Sequence, residues 1–280
     1  MHLSGANALM GIADGDFDGH AHVFAAGLPL AAKRRYAPDY EALPMTYAAL
    51  LGAHGLAGGL LVQPSFLGTD NSYLLSVLDA ARSGALGAGL LFRGVVVLDP
   101  DDRGITSDGL DQLSRQGIVG MRINAVGWPD SMLQDMARWT RLLKLADAAG
   151  WHVELQCEGD RLAPVLAHLL AHCQHVVVDH FGLPRADDLL GCPGQSALLS
   201  APEGRVFVKV SAPYRVLPDL CPSEAVDRLM PVFRRLHEGL GSTQLLWGSD
   251  WPWTRFEGRQ NFSDCVSWRD RWLAGLYRGS

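Results

Sequence analysis

Short apolar runs recur along the chain. Each is followed by a loop rich in Gly, Pro, Asn or Asp and then by a stretch with helical spacing. Eight runs are predicted as strands: Phe17–Val23, Gly59–Gln63, Phe92–Leu98, Val119–Asn124, His152–Gln156, Val176–His180, Val206–Ser211 and Gln244–Asp250. Runs such as VVVLD, VVVDH and VFVKVS are apolar at successive positions, as expected of strands covered on both faces. Between them, Asn71–Ser83 carries Tyr73, Leu74, Val77, Leu78 and Ala81 at helical spacing. Ser131–Ala149 carries a stripe of Met132, Met136, Trp139, Leu143 and Ala146 and stops at Gly150, and Pro222–Gly239 starts at Pro and stops at Gly. Strands alternating with helices predict a parallel sheet with crossover helices. This count favours an α/β chain folded as one (β/α)8 TIM barrel over residues 17–280, behind an irregular N-terminal leader over residues 1–16. A doubly wound open sheet is the alternative. It lacks support, because no strand is followed by a GxGxxG or GxxxxGK[ST] loop.

Composition fits this architecture. The chain has 280 residues, 48% hydrophobic and 19% charged, and barrels of this type run to about 250 residues as one domain. The formal net charge of −6 lacks the basic footprint of a nucleic-acid binder. The five cysteines are widely spaced and form no CxxC, which predicts reduced thiols rather than a disulfide frame or a structural zinc site. No stretch has the pattern of a signal peptide or reaches the roughly 20 apolar residues that span a bilayer. The expectation is a cytoplasmic protein that acts on a small molecule, with no nucleic-acid or membrane partner and a homo-oligomer left open.

The C-terminal strand ends are where such a barrel keeps its chemistry. The first strand ends in Asp18-Gly19-His20-Ala21-His22. Residues i and i+2 share a face, so His20 and His22 aim together into the mouth, suited to a metal ion or a polarised carbonyl. The sixth ends in Asp179-His180-Phe181-Gly182 and the eighth in Ser249-Asp250-Trp251-Pro252. Alone, each of these residues is more readily a loop histidine or a turn cap. Together they place three histidines and an aspartate at three strand ends. Lys209, on the same face as Ser211, reads as a buried structural cation before a catalytic one.

The segments HAHVF (20–24), LVQPSFLGTDN (61–71), GMRIN (120–124), VDHFG (178–182), VKVSAPYR (208–215) and WGSDWP (247–252) resemble the amidohydrolase superfamily. The likeness is to its branch of 2-pyrone-4,6-dicarboxylate lactonases and sugar lactonases. The resemblance implies a TIM-type barrel that hydrolyses a cyclic ester. Asp250 matches the general base of that family, and His20, His22 and His180 match its inner cluster. Arg122 suits a carboxylate or a developing oxyanion rather than a metal, and Arg215 resembles a second substrate-anion contact, with Tyr214 beside it. Gln63, Ser65, Tyr47 and Gln156 are expected polar substrate contacts. No cofactor is required as first choice. A single divalent ion, zinc, is the alternative, with His20, His22, His180 and Asp250 as ligands.

Two departures qualify the resemblance. The loop after strand four, Asn124–Pro129, carries no further arginine and has Trp128 in its place; Trp251 and Trp253 follow Asp250 where relatives commonly place a histidine. The sequence therefore predicts tryptophans at the mouth, Trp253 among the substrate contacts, and a less acidic, more apolar or ring-shaped substrate. The fifth strand ends in Gln156 rather than histidine, and the strand-four ligand is replaced by Arg122, so no binuclear metal site is expected. Competing functions are a zinc-dependent non-oxidative decarboxylase and a non-catalytic binding barrel.

Overall fold

The computed structural model describes Leu3, Leu9 and residues 16–276. The expected leader over residues 1–16 lies outside the described residues apart from Leu3, Leu9 and Asp16. The strands are β1 (Phe17–Ala21), β2 (Gly58–Val62), β3 (Leu91–Val96), β4 (Ile118–Asn124), β5 (His152–Gln156), β6 (Val176–Val178), β7 (Val206–Ser211) and β8 (Leu245–Gly248). They form one 8-stranded parallel sheet in sequence order, with helices on the crossovers, as the alternation predicts.

The barrel closes between β8 and β1. Asp250 N donates to His20 O at 2.8 Å, and His22 N donates to Trp251 O at 2.7 Å. Glycine makes this seam possible: a Cβ on Gly248 would stand 2.7 Å from the His20 Cβ. The Asp18 carboxylate reinforces it, accepting from Ser249 N at 2.8 Å, Ser249 Oγ at 2.5 Å, His20 N at 3.1 Å and Tyr47 Oη at 2.9 Å.

An apolar plug of Phe17, Leu60, Val62, Val95, Val177, Phe207 and Leu246 fills the lower barrel, separate from the larger core between strands and helices. Along β7 the inward face runs from Phe207 to Lys209 to Ser211, with the period of two that a strand imposes. The plug thus gives way to polar side chains towards the mouth.

Some elements are shorter than predicted. β6 ends at Val178 and β8 at Gly248, so His180 opens a 3-10 turn (His180–Gly182) and Asp250 lies in the loop after β8. The single helix expected over Ser131–Ala149 is broken into Asp130–Gln134, a 3-10 turn at Met136–Trp139, and Thr140–Ala148. Asp135 leaves helical geometry (φ −93°, ψ 35°), while Trp139 stacks on Trp128 with ring centroids 6.2 Å apart. The apolar stripe carries no trace of that break. No described helix is long and apolar enough to cross a membrane.

Candidate active site

The four residues singled out at the strand ends meet in one buried cluster. His20 Nε2 lies 3.2 Å from His22 Nε2. Asp250 Oδ1 lies 3.7 Å from His20 Nε2 and 3.9 Å from both His22 Nε2 and His180 Nε2. His180 and Asp250 reach this point through left-handed backbone, with φ of 51° and 57°. Such conformations are uncommon outside glycine and concentrate at functional sites.

Asp250 uses its two oxygens differently. Oδ2 accepts from Tyr214 Oη at 2.7 Å and from Arg215 Nε at 2.6 Å, whereas buried Oδ1 has no hydrogen-bond partner. Burial raises the carboxyl pKa, but the Arg215 guanidinium outweighs it and holds the group ionised, below the usual carboxylate range. Burial keeps His22 neutral well below the ordinary imidazole value and pushes His180 down to about 3.

A second layer lies beside and beneath the cluster. Arg122 donates from Nε and Nη2 to Asp179 Oδ2 at 3.2 and 2.8 Å, and from Nη2 to Gln156 Oε1 at 2.7 Å. Lys209, wholly buried, contacts His20 Nδ1 at 2.9 Å and Glu154 Oε1 at 2.5 Å. Burial raises the Glu154 carboxyl pKa, and the Lys209 ammonium then brings it down to about 2.

Above the cluster opens a cavity of about 180 Å³, lined by His22, His180, Asp250 and four arginines, Arg35, Arg122, Arg215 and Arg255. Its volume suits a small molecule, and its charge suits an anion. Two mouth loops are joined above it: Glu257 Oε1 accepts from Tyr36 Oη and Tyr40 Oη, each at 2.7 Å, and from Arg255 N at 2.8 Å. Arg35 Nη2 donates to Asn124 Oδ1 at 3.0 Å.

The sequence profile described as Amidohydrolase matches residues 17–268. The chain belongs to the amidohydrolase family. It is similar to the 4-sulfomuconolactone hydrolase of Rhizobium radiobacter, 28% identical over 245 residues that cover 86% of this chain and 77% of the relative. It is also similar to a candidate 2-pyrone-4,6-dicarboxylic acid hydrolase from Pseudomonas putida. That structure is 39% identical, with a TM-score of 0.80 over 92% of this chain and 90% of the other. A further candidate 2-pyrone-4,6-dicarboxylic acid hydrolase, from Acinetobacter baumannii with citric acid bound, is 28% identical, with a TM-score of 0.81 over 92% of each chain.

Other expected contacts of this amidohydrolase divide. Ser65 and Gln156 line the cavity with Arg122 and Arg215, and Tyr214 acts on Asp250 from behind. Tyr47, Gln63, Trp253 and Tyr214 do not line it. Tyr47 is stacked on Trp251 and bonded to Asp18. Gln63 Nε2 donates to Asp70 O at 2.7 Å, and Trp253 Nε1 donates to Ser249 O at 3.2 Å. The expected tryptophan-lined mouth is therefore corrected: the loops turn these indoles away and bring in arginines. The sequence reasoning missed Arg35 and Arg255. They come from loops after β1 and β8 that no strand-end rule reaches, in segments dense with surface-type charges.

As a metal site the amidohydrolase cluster fits in part. Ligand atoms of His20, His180 and Asp250 lie within 4.8 Å of one another, and Oδ1 of Asp250 is an orphaned buried oxygen. His180 and Asp250 would hold a divalent ion, joined by His20 only if its Nε2 carries the lone pair, and the ion would supply Lewis-acid polarisation and a more acidic bound water.

Proposed function

We propose that this amidohydrolase opens a small lactone bearing two or more acidic groups by water attack on the ring carbonyl. The observation that carries the proposal is one free carboxylate oxygen, Asp250 Oδ1, beneath a cavity lined by four arginines. Relatives named for a sulfonated lactone and a pyrone dicarboxylate support the same class.

Asp250 Oδ1 takes a proton from water as the oxygen bonds to the lactone carbonyl carbon. Arg122 and the histidine cluster stabilise the oxyanion that forms. The intermediate collapses by breaking the ring C–O bond, and the leaving oxygen takes the proton back from Asp250. The products are a carboxylic acid, ionised at neutral pH, and a hydroxyl on the former ring oxygen. Arg35, Arg255 and Arg215 hold the acidic substituents, and this orientation precedes the chemistry.

The test is acid release from lactones carrying zero, one, two and three acidic groups. The expected result is the highest kcat/KM for lactones with two or more acidic groups, and no turnover in Asp250→Asn. Equal kcat/KM for neutral sugar lactones would overturn the substrate class. Carbon dioxide release without ring opening would instead support the decarboxylase.

A further inference from the structure

The polarity of the hydrogen bonds beneath the cavity is set at both ends. His22 Nδ1 lies 2.8 Å from Val62 O. A carbonyl only accepts, so the proton of neutral His22 is on Nδ1 and its Nε2 carries a lone pair. His20 Nε2, 3.2 Å away, must then be the donor. At the other end, Lys209 Nζ lies 2.9 Å from His20 Nδ1 and 2.5 Å from Glu154 Oε1. An ammonium only donates, so His20 Nδ1 is the acceptor. The Lys209 end requires the Nε2–H tautomer of His20, and a His22 that donates from Nδ1 to Val62 O offers the acceptor that this tautomer needs.

We propose that Lys209 is a positioning residue that fixes a one-way hydrogen-bond chain, Lys209 to His20 to His22 to Val62, and thereby keeps His20 from acting as a metal ligand through Nε2. In this chain the His20 nitrogen facing Asp250 carries a proton and has no lone pair to give. Ligation through Nε2 requires the proton on Nδ1, where it would face the Lys209 ammonium, donor against donor. The competing arrangement has a ready acceptor. Asp179 Oδ1 is buried, has no hydrogen-bond partner and lies 3.4 Å from His20 Nδ1. Asp179 therefore favours the metal-ready tautomer and Lys209 the proton-donating one. Lys209 prevails by distance, 2.9 against 3.4 Å. Its ammonium stands among His20, Glu154 and Asp179, the second group of side chains close enough together to hold a cation.

The inference takes the cluster as the reacting centre proposed above, but its test needs no substrate, so the two fail separately. In the wild-type protein with ¹⁵N-labelled histidine, resonances are assigned through His20→Asn and His22→Asn. His20 is expected in the Nε2–H form and His22 in the Nδ1–H form. His20 in the Nδ1–H form would overturn the proposal. Lys209→Met leaves Glu154 buried with only His152 Nε2 beside it, at 3.5 Å, so the companion variant is Lys209→Met with Glu154→Gln, which removes both charges. There His20 is expected to move to the Nδ1–H form. Zinc affinity by calorimetry is expected to rise about 10–100-fold, the range that outer partners of metal-bound histidines command. An unchanged tautomer or unchanged zinc affinity in the folded double variant would overturn the role of Lys209. Should that variant not fold, the wild-type spectrum decides: His20 in the Nε2–H form, the one that accepts from Lys209, upholds the proposal, and the Nδ1–H form overturns it.

Discussion

Arg215 Nε donates to Asp250 Oδ2 at 2.6 Å, which leaves Oδ1 as the oxygen free for proton transfer. The sequence predicts Arg215 only as a substrate anchor. In the fold it also sets the charge state of the base, because it is the strongest partner holding the Asp250 carboxyl down against burial. Arg215→Gln is therefore expected to lower kcat/KM on the order of 10²-fold, comparable to the loss of one preorganised donor. It should also bring an acid limb into the kcat/KM profile. A rise in KM alone, with the pH profile unchanged, would reduce Arg215 to an anchor.

Glu257 joins the loops that carry Arg35 and Arg255 through Tyr36, Tyr40 and the Arg255 backbone. It does not line the cavity, so it acts through the arginines. Glu257→Ala is expected to raise KM about tenfold, equivalent to 1.4 kcal/mol of binding, with kcat changed less than about twofold. The rise should be larger for lactones with two acidic groups than for those with one. An equal rise for a neutral lactone would rule out loss of the arginine clamp as the cause.

Much of this was legible in the sequence, for physical reasons that also mark where legibility stops. Burial on both faces makes the strands continuous apolar runs, so all eight fall where the periodicity puts them. His20 and His22 meet because the period of two survives to the end of β1. His180 and Asp250 meet them only because residues with no glycine-like freedom take φ of 51° and 57°, which no local pattern announces. The direction of a loop side chain is less legible still. Trp251 and Trp253 turn away from the mouth while Arg255, two residues on from Trp253, lines it. That choice belongs to tertiary contacts such as the stack of Tyr47 on Trp251 at 5.3 Å.

The pH dependence follows from His180 and Glu154. Burial holds folded His180 at about 3, against about 6.5 in an unfolded chain. Between those values the unfolded state binds more protons, so stability rises with pH and is lost as pH falls below about 6.5. Burial opposes ionisation of Glu154, but Lys209 lowers its pKa to about 2, so a second loss of the same sign runs from about 4.3 downward. The urea midpoint is expected to drop between pH 7 and pH 5, and His180→Gln should shrink that drop. The same shift leaves kcat/KM without a limb near pH 6.5 from His180. A wild-type midpoint equal at both pH values would count against a neutral buried His180.

Tyr47 separates two origins of a polar contact near the mouth, seam and substrate. The sequence predicts it to touch substrate. The structure buries it completely, with its hydroxyl on Asp18 at 2.9 Å and its ring on Trp251. It is one of four donors to a carboxylate that ties the end of β1 to Ser249, next to the base. Tyr47→Phe removes one donor while Asp18 keeps three, so it is expected to cost about 1 kcal/mol of stability with KM unchanged. Asp18→Asn is expected to cost more, about 1–3 kcal/mol, because an amide NH2 would turn a donor towards donors, and kcat should fall as the Ser249–Asp250 turn loosens. Urea titrations and steady-state kinetics on both variants decide it. A raised KM with normal stability in Tyr47→Phe would return Tyr47 to the substrate, whereas lost stability with normal KM fixes it in the seam.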